Sequence, residues 1–241
     1  MEDSLYIVMP AYNEADTIEA VVTSWYSVLN GKSDASRLVV ADSGSTDATH
    51  DILKRLQGKL PQLEILADTG KQHGPKVIAL YKYAIRHGAN FVFQTDSDGQ
   101  TTPDEFDAFW QLRNQHSAVL GWRNVRGDGK SRAFVERIVC LLLRCIFGVK
   151  VPDANAPYRL MRSDLLARYI DRLPDDYNIP NIMLTTFFSY YGENIAFRTI
   201  SFKPRQGGTN SINLPRIVKI GLRAVGDFRR FKATMTKAAK R

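Results

Sequence analysis

A chain of 241 residues supplies one large domain, or one domain and a tail, with ample material for a core. Apolar residues make up 44% and charged residues 24%, an ordinary globular composition, and no apolar run approaches the length that spans a bilayer. The net charge of +8 is uneven: Leu214–Arg241 holds nine basic residues against Asp227 alone, and the rest balances 24 basic with 24 acidic residues. That pattern argues against a general nucleic-acid-binding surface and for a local anionic contact at the C-terminal end.

In chain order, the acidic start Met1-Glu2-Asp3-Ser4 runs straight into an apolar strand, so no signal peptide is expected. The first hundred residues read β-α-β-α-β-α-β. Strands are predicted at Leu5–Met9, Arg37–Ala41, Leu63–Leu66 and Phe91–Thr95, with helices over Ala15–Asn30, Thr46–Gln57 and Gly74–Gly88. Asn13 or Asp16 is expected to cap the first helix, Asp47 the second, and Gly88 to end the third. After Pro103 come a helix to Gln115, a strand at Ala118–Gly121, a basic loop over 123–130 and a long helix through Phe147. Its apolar surface predicts packing on the sheet or contact with lipid. Cys140 and Cys145 within it are expected as buried, reduced thiols. Asp153–Leu160 reads as a polar turn, followed by helices over Asp164–Leu173 and Ile179–Tyr191, a strand at Ile195–Phe202, and a donor-rich loop from Arg205 to Ser211.

An alternating strand and helix pattern predicts a mostly parallel sheet, which collects ligands at the carboxyl ends of its strands. Each of the first four strands ends in a polar cluster: Pro10–Glu14, Asp42–Asp47, Asp68–Lys71 and Asp96–Gln100. All four then face one crevice. Asp96 and Asp98, two apart after a strand, suit a divalent cation, Mg²⁺ or Mn²⁺, and that cation suits a diphosphate. Asp42, after a buried strand, can accept from a nucleobase N–H or cap the next helix. Lys71, His73 and Lys76 sit in a Gly-flanked loop that offers donors to phosphate, and His73 alone reads as a surface residue. Arg123, Arg126 and Arg132 cluster around the basic loop, where guanidinium forks bind phosphate or pair with Asp128 and Glu136.

Taken in order, Pro10-Ala11-Tyr12-Asn13-Glu14, Asp42-Ser43-Gly44-Ser45-Thr46-Asp47 and Asp96-Ser97-Asp98-Gly99-Gln100 resemble the family-two, inverting glycosyltransferases of the GT-A fold. Gly121-Trp122-Arg123, Arg132, Asp153 through Arg159, and Arg205 through Ser211 are similar to the dolichyl- and polyprenyl-phosphate sugar synthases within them. The resemblance implies an α/β, Rossmann-like GT-A domain over 1–213 and a basic amphipathic segment over 214–241. It implies a nucleoside-diphosphate sugar as donor and a polyprenyl phosphate as acceptor. It assigns Pro10, Tyr12, Glu14, Asp42, Lys76, Asp96 and Asp98 to the donor, with Asp96, Asp98 and Gln100 around the metal. Arg123, Arg126, Arg132, Asp153 and Arg159 fall to the acceptor. Asp98, Arg123, Arg132 and Arg205 become the catalytic set. Glu136 stands where that family carries serine, a negative charge beside the acceptor.

The residues bear on this choice. Hydroxyl-glycosylating relatives place an acidic pair before the acceptor helix, and Asp175-Asp176 matches that pattern poorly. A phosphate acceptor is already anionic and needs no base, only positioning. On a helical wheel the tail sets Ile217, Ile220, Ala224, Phe228 and Phe231 beside Arg216, Lys219, Arg223 and Arg230, the pattern of a helix in the interface of an anionic membrane. The alternative is a helix packed on the body; the interfacial reading puts the chain at the cytoplasmic membrane face. The rivals are a transferase acting on a saccharide hydroxyl with Asp175 or Asp176 as base, a nucleotidyltransferase, and a non-enzymatic nucleotide binder.

Overall fold

The computed structural model describes residues 3–124, 130–205 and 214–235, so Arg126 and the loop from Gln206 to Ser211 lie outside the described residues. Strands β1 (Leu5–Ala11), β2 (Arg37–Asp42), β3 (Leu63–Leu66) and β4 (Phe91–Thr95) pair in parallel, β2 and β4 flanking β1. Strands β5 (Ala118–Trp122), β6 (Tyr158–Arg162) and β7 (Ile195–Thr199) complete a sheet of order β3-β2-β1-β4-β6-β5-β7. Only β6 runs against the others. It corrects the polar turn expected over Asp153–Leu160. A buried arginine at its second position disguised the strand, whose other core residues, Tyr158, Leu160 and Met161, are apolar.

Alternate residues of β1 feed two cores, as the two-residue period of a strand requires. Leu5, Ile7 and Met9 pack with α1 (Ile18–Tyr26), α2 (Thr49–Gln57) and the short α4 (Phe106–Trp110). Tyr6 and Val8 pack with α3 (His73–Arg86), α6 (Ser163–Ile170) and α7 (Pro180–Tyr190). Trp25 centres the first core, 5.2 Å from the Phe93 ring and 5.8 Å from that of Tyr158. Truncating such a ring to alanine costs about 3–5 kcal/mol.

Helix ends differ from the expectation in detail. Thr17 precedes α1 without a side-chain capping bond, so neither Asn13 nor Asp16 caps it. Asp47 does serve α2, accepting from Thr49 N at 3.0 Å. Gly88, at φ +74°, follows α3 in the left-handed turn that a helix stop favours. At the other end of α3, a Cβ on Gly74 would stand 2.2 Å from the Tyr177 carbonyl oxygen, so α3 abuts the backbone leading into α7. The helix expected over Asp104–Gln115 shrinks to a 3₁₀ turn, Pro103–Glu105, and α4.

The long helix α5 (Lys130–Phe147) packs against α7 and α8 (Leu214–Thr234). The aromatic residues of α8 that the sequence placed against lipid lie on protein instead. The Phe228 ring is 5.9 Å from that of Phe147, and the Phe231 ring 5.3 Å from Tyr177. Among the described residues an exposed apolar stripe runs along α5: Phe134 is 62% exposed, Ile138 41% and Leu141 59%. Cys145, expected buried, is exposed as well, and Cys140 is half-buried.

Candidate active site

The chain leaves β1 to one side through β2 and β3 and returns to the other at β4, so a switch point lies between β1 and β4. The carboxyl ends of the strands converge there, and hydrogen bonds lock their loops. Asn13 N donates to Ser45 Oγ at 3.0 Å, Thr46 N to Asn13 Oδ1 at 2.8 Å, and Glu14 N to Thr49 Oγ1 at 2.8 Å. Ser97 Oγ donates to the Pro10 carbonyl at 2.9 Å, tying β1 to β4. Thr69 N donates to Ser43 Oγ at 2.8 Å, so all four polar clusters are one framework.

Asp42 is buried at the end of β2. Its carboxylate accepts from Ser45 Oγ at 2.5 Å and faces His50 Nδ1 at 3.1 Å. Tyr12, one residue beyond the Ala11–Asp42 pair of β1 and β2, is 42% exposed. Lys76 lies beneath, donating to the Ala11 carbonyl at 2.5 Å with its ammonium 5.1 Å from the Tyr12 ring centroid. Burial pulls the Lys76 pKa down to about 8 despite the Asp42 charge.

Asp98 is pushed up to about 6 by burial and then by the charge of Asp96, and Gln100 N donates to its Oδ1 at 3.1 Å. Asp96 Oδ1 meets His73 Nε2 at 3.2 Å. The crowding around that ring opposes its charge, but the bond and charge of Asp96 outweigh it and hold the imidazolium above the usual histidine range. Burial also raises Glu14, partly offset by Arg205, which bonds Glu14 and lies 3.7 Å from Asp98 Oδ2. Gln100 Nε2 donates to the Lys203 carbonyl at 2.9 Å, so this side chain tethers the segment after β7.

On the far side of the crevice Arg123 is buried in a fork with Asp153, 2.8 Å at both Nε and Nη2, and lies 3.6 Å from Glu136 Oε2. Burial alone would raise Asp153, but the Arg123 pair outweighs it and holds that carboxyl below its usual range. Burial and the Asp153 charge push Glu136 up. Glu136 also accepts from Ala154 N at 2.8 Å, so it braces the segment that carries Asp153. Arg132, half-buried, lies four residues earlier on the same side of α5. Arg159 is only 1% exposed and donates to Thr185 Oγ1 at 2.9 Å, so it supports the pocket from beneath, where no acceptor reaches. Asp175, the rival base, pairs with Lys82 at 2.8 Å. Lys82 is nine residues along α3 from His73, about 13 Å by helical rise.

The family model of glycosyl transferase family 2 matches residues 6–185, from β1 into α7 and across every cluster described above. The chain belongs to this family. An undecaprenyl-phosphate mannosyltransferase of Micrococcus luteus is 27% identical over 171 residues, 68% of this chain and 68% of that protein. A polyprenol monophosphomannose synthase of Mycolicibacterium smegmatis is 22% identical over 170 residues, 67% of this chain and 63% of that one. The match to the undecaprenyl-phosphate 4-deoxy-4-formamido-L-arabinose transferase of Pseudomonas syringae spans 48% of its length. Glucosyl-3-phosphoglycerate synthase from Mycobacterium tuberculosis, solved with Mn²⁺, UDP and phosphoglyceric acid, superposes with a TM-score of 0.70. That match covers 98% of this chain and 80% of the other at 19% identity. The likeness establishes the GT-A fold for this family-two chain. As an enzyme family, it sets aside the nucleotidyltransferase and the non-enzymatic binder.

A family-two domain implies a divalent ion, and the donor set fits one. Two adjacent carboxylates supply hard oxygens, and the cationic Arg205 already stands against one of them. Among the described residues no cluster of three or more ligating groups exists, so diphosphate and water oxygens would complete the shell. Sequence reasoning set His73 aside and overlooked His50. A Gly-flanked histidine entering a helix carries no signal of its own, and only the fold brings it to Asp96. The basic side of Arg123 was legible, but its two acidic partners come from elements 13 and 30 residues away.

Proposed function

We propose that this chain transfers a sugar from a nucleoside-diphosphate sugar to the phosphate of a polyprenyl lipid at a membrane face. One observation carries the reading. The segment 202–205 spans both sides of the crevice: Phe202 lies 5.1 Å from the Arg123 guanidinium, Lys203 pairs with Gln100, and Arg205 reaches Glu14 and Asp98. Nucleotide-side carboxylates and the buried arginine are therefore walls of one pocket.

In this pocket Asp42 accepts from the base, Tyr12 lies against it, and Asp96 and Asp98 hold the ion. When bound, that ion supplies Lewis-acid stabilisation of the departing diphosphate. Arg205 and His73 border the diphosphate, adding positive charge where negative charge develops. Arg123, braced by Asp153, and Arg132 orient the acceptor phosphate. One of its oxygens forms the new bond to the anomeric carbon as the bond to the diphosphate breaks, and the configuration inverts. An ionised phosphate needs no proton removed, which accords with Asp175 being engaged elsewhere.

The membrane contact falls to α5. Its inner face bears Glu136, beside Arg123, while its outer face bears Phe134, Ile138 and Leu141 with Arg137 and Arg144 exposed nearby. Apolar anchors between cations suit an anionic lipid interface. Among the described residues no helix is long and apolar enough to cross a membrane.

One observation favours a second reading, transfer to a saccharide hydroxyl. Two carboxylates surround Arg123, and Glu136, with its pKa raised, has the character of a general base.

The donor assignment is tested by thermal shift with UDP, GDP and other nucleoside diphosphates, with and without Mn²⁺. One diphosphate should raise the midpoint by several degrees, and more with metal. No shift with any of them would end the reading.

A further inference from the structure

A buried chain of side-chain hydrogen bonds ends on Asp96. It begins at Tyr81 of α3, whose hydroxyl donates to Asn181 Oδ1 at 2.8 Å. Asn181, at the second residue of α7, donates from Nδ2 to Gln94 Oε1 at 2.9 Å. Gln94, on β4, donates from Nε2 to Asp96 Oδ1 at 3.0 Å. Tyr81 and Gln94 are completely buried and Asn181 is 2% exposed, so water offers these groups no alternative partners.

Every bond in the chain points the same way. A carboxamide has one donating and one accepting end, and a phenol this far inside the protein stays protonated. The Asp96 carboxylate only accepts, so Gln94 must turn N–H to it, Asn181 must turn N–H to the Gln94 carbonyl, and the Asn181 carbonyl is left to accept from Tyr81. Among the described residues the other contact of Asp96, with His73, also falls on Oδ1. Both neighbours thus hold one oxygen of a side chain that is 27% exposed, and leave the second for another partner.

We propose that Gln94 and Asn181 are positioning residues that set the orientation of the Asp96 carboxylate for the cation. The inference rests on the function proposed above for its setting, but not for its internal logic. Aligned donors in a dry interior strengthen one another, and a metal-holding side chain needs to be fixed within about half an ångström. The device also explains two amides in apolar surroundings. Gln94 interrupts the run Phe91-Val92-Phe93, and Asn181 opens a helix whose residues are buried through Phe188.

The test is Asn181→Asp, which keeps the shape and replaces the donor with an acceptor. Tyr81 keeps its partner, but the Gln94 amide must reverse and set its carbonyl against Asp96. Thr186→Val, on the same buried helix with a hydroxyl bonded back to Ile182 O, is the control for packing damage. Three measurements are made on the full chain. Mn²⁺ binding, followed by electron paramagnetic resonance with UDP present, should weaken at least tenfold in Asn181→Asp and less than twofold in Thr186→Val. UDP affinity without metal should stay within twofold in both. The side-chain amide protons of Gln94, read by NMR without metal or nucleotide, should exchange slowly in the wild type and lose protection in Asn181→Asp. Should Asn181→Asp fail to fold, Tyr81→Phe removes the first donor and is expected to speed Gln94 amide exchange at least fivefold. Unchanged Mn²⁺ affinity, or a Gln94 amide that already exchanges freely in the wild type, overturns the proposal. A wild type that ignores Mn²⁺ while its Gln94 amide is protected overturns the metal-dependent function and leaves the relay standing.

Discussion

Arg205 bonds to Glu14, a residue 191 positions earlier in the chain, and so closes the crevice from the C-terminal side. Its guanidinium also stands near Asp98, so it balances two carboxylates that burial disfavours. Arg205→Gln should lower the stability of the metal-free protein by about 1–3 kcal/mol, because buried charge loses its counterpart. Mn²⁺ should then raise the melting midpoint more in the variant than in the wild type, as calorimetry with and without the ion will show.

Asp98→Asn should cut sugar transfer by at least about a hundredfold, and chelation with EDTA should do the same reversibly, since the departing diphosphate loses its ion in both. Restoring Mn²⁺ should rescue the chelated wild type and not the variant. Equal activity in EDTA would remove the metal from the scheme.

Glu136→Gln separates the two acceptors. With a phosphate acceptor, lowering the negative charge around Arg123 should leave kcat within about threefold and lower KM for the lipid phosphate. With a saccharide hydroxyl, losing a general base should reduce kcat by about 10²–10⁴.

Lys76 makes stability depend on alkaline pH with a definite sign. Its folded pKa of about 8 lies below the ordinary lysine value of 10.5, so between them the unfolded chain carries a proton that the folded one has lost. The cost of burying the ammonium is fully present below pH 8 and fades as pH rises towards 10.5, at up to about 1.4 kcal/mol per pH unit. Denaturant titrations at pH 7.5 and 9.5 should show wild type gaining on Lys76→Met over that interval. A constant difference would refute the perturbation.

The two long helices should respond in opposite ways to loss of their aromatic groups. Phe228→Ala, in the packed face of α8, should cost about 3 kcal/mol in chemical denaturation. Phe134→Ser with Leu141→Ser, on the exposed stripe of α5, should change stability by less than about 1 kcal/mol while sedimentation with anionic vesicles falls several-fold.

The first half of the fold was legible because its strands are apolar runs bounded by polar clusters, and a parallel sheet follows from that alternation. Strand β6 was not, since Arg159 makes it look like a turn until the fold supplies Thr185 as a partner. The donor-side carboxylates were legible from their spacing after strands. The partners of Arg123, the contact of His73 with Asp96 and the Gln94–Asn181 bond were not, because each joins elements far apart in the chain. The aromatic residues of the tail were placed against lipid for a related reason, while the side chains of Arg216 to Arg223 lie outside the described residues. An amphipathic wheel states that one face seeks an apolar surface, and in α8 that surface is Phe147, Tyr177 and Phe187.

Gly74 draws these threads to a single atom. With no room for a methyl group beside Tyr177, the start of α3 and the approach to α7 sit backbone against backbone. The first helix brings His73 and Lys76 to the crevice, and the second brings Asn181. An alanine at position 74 would act as a wedge, prising apart the two supports of the donor pocket while touching none of the residues that line it.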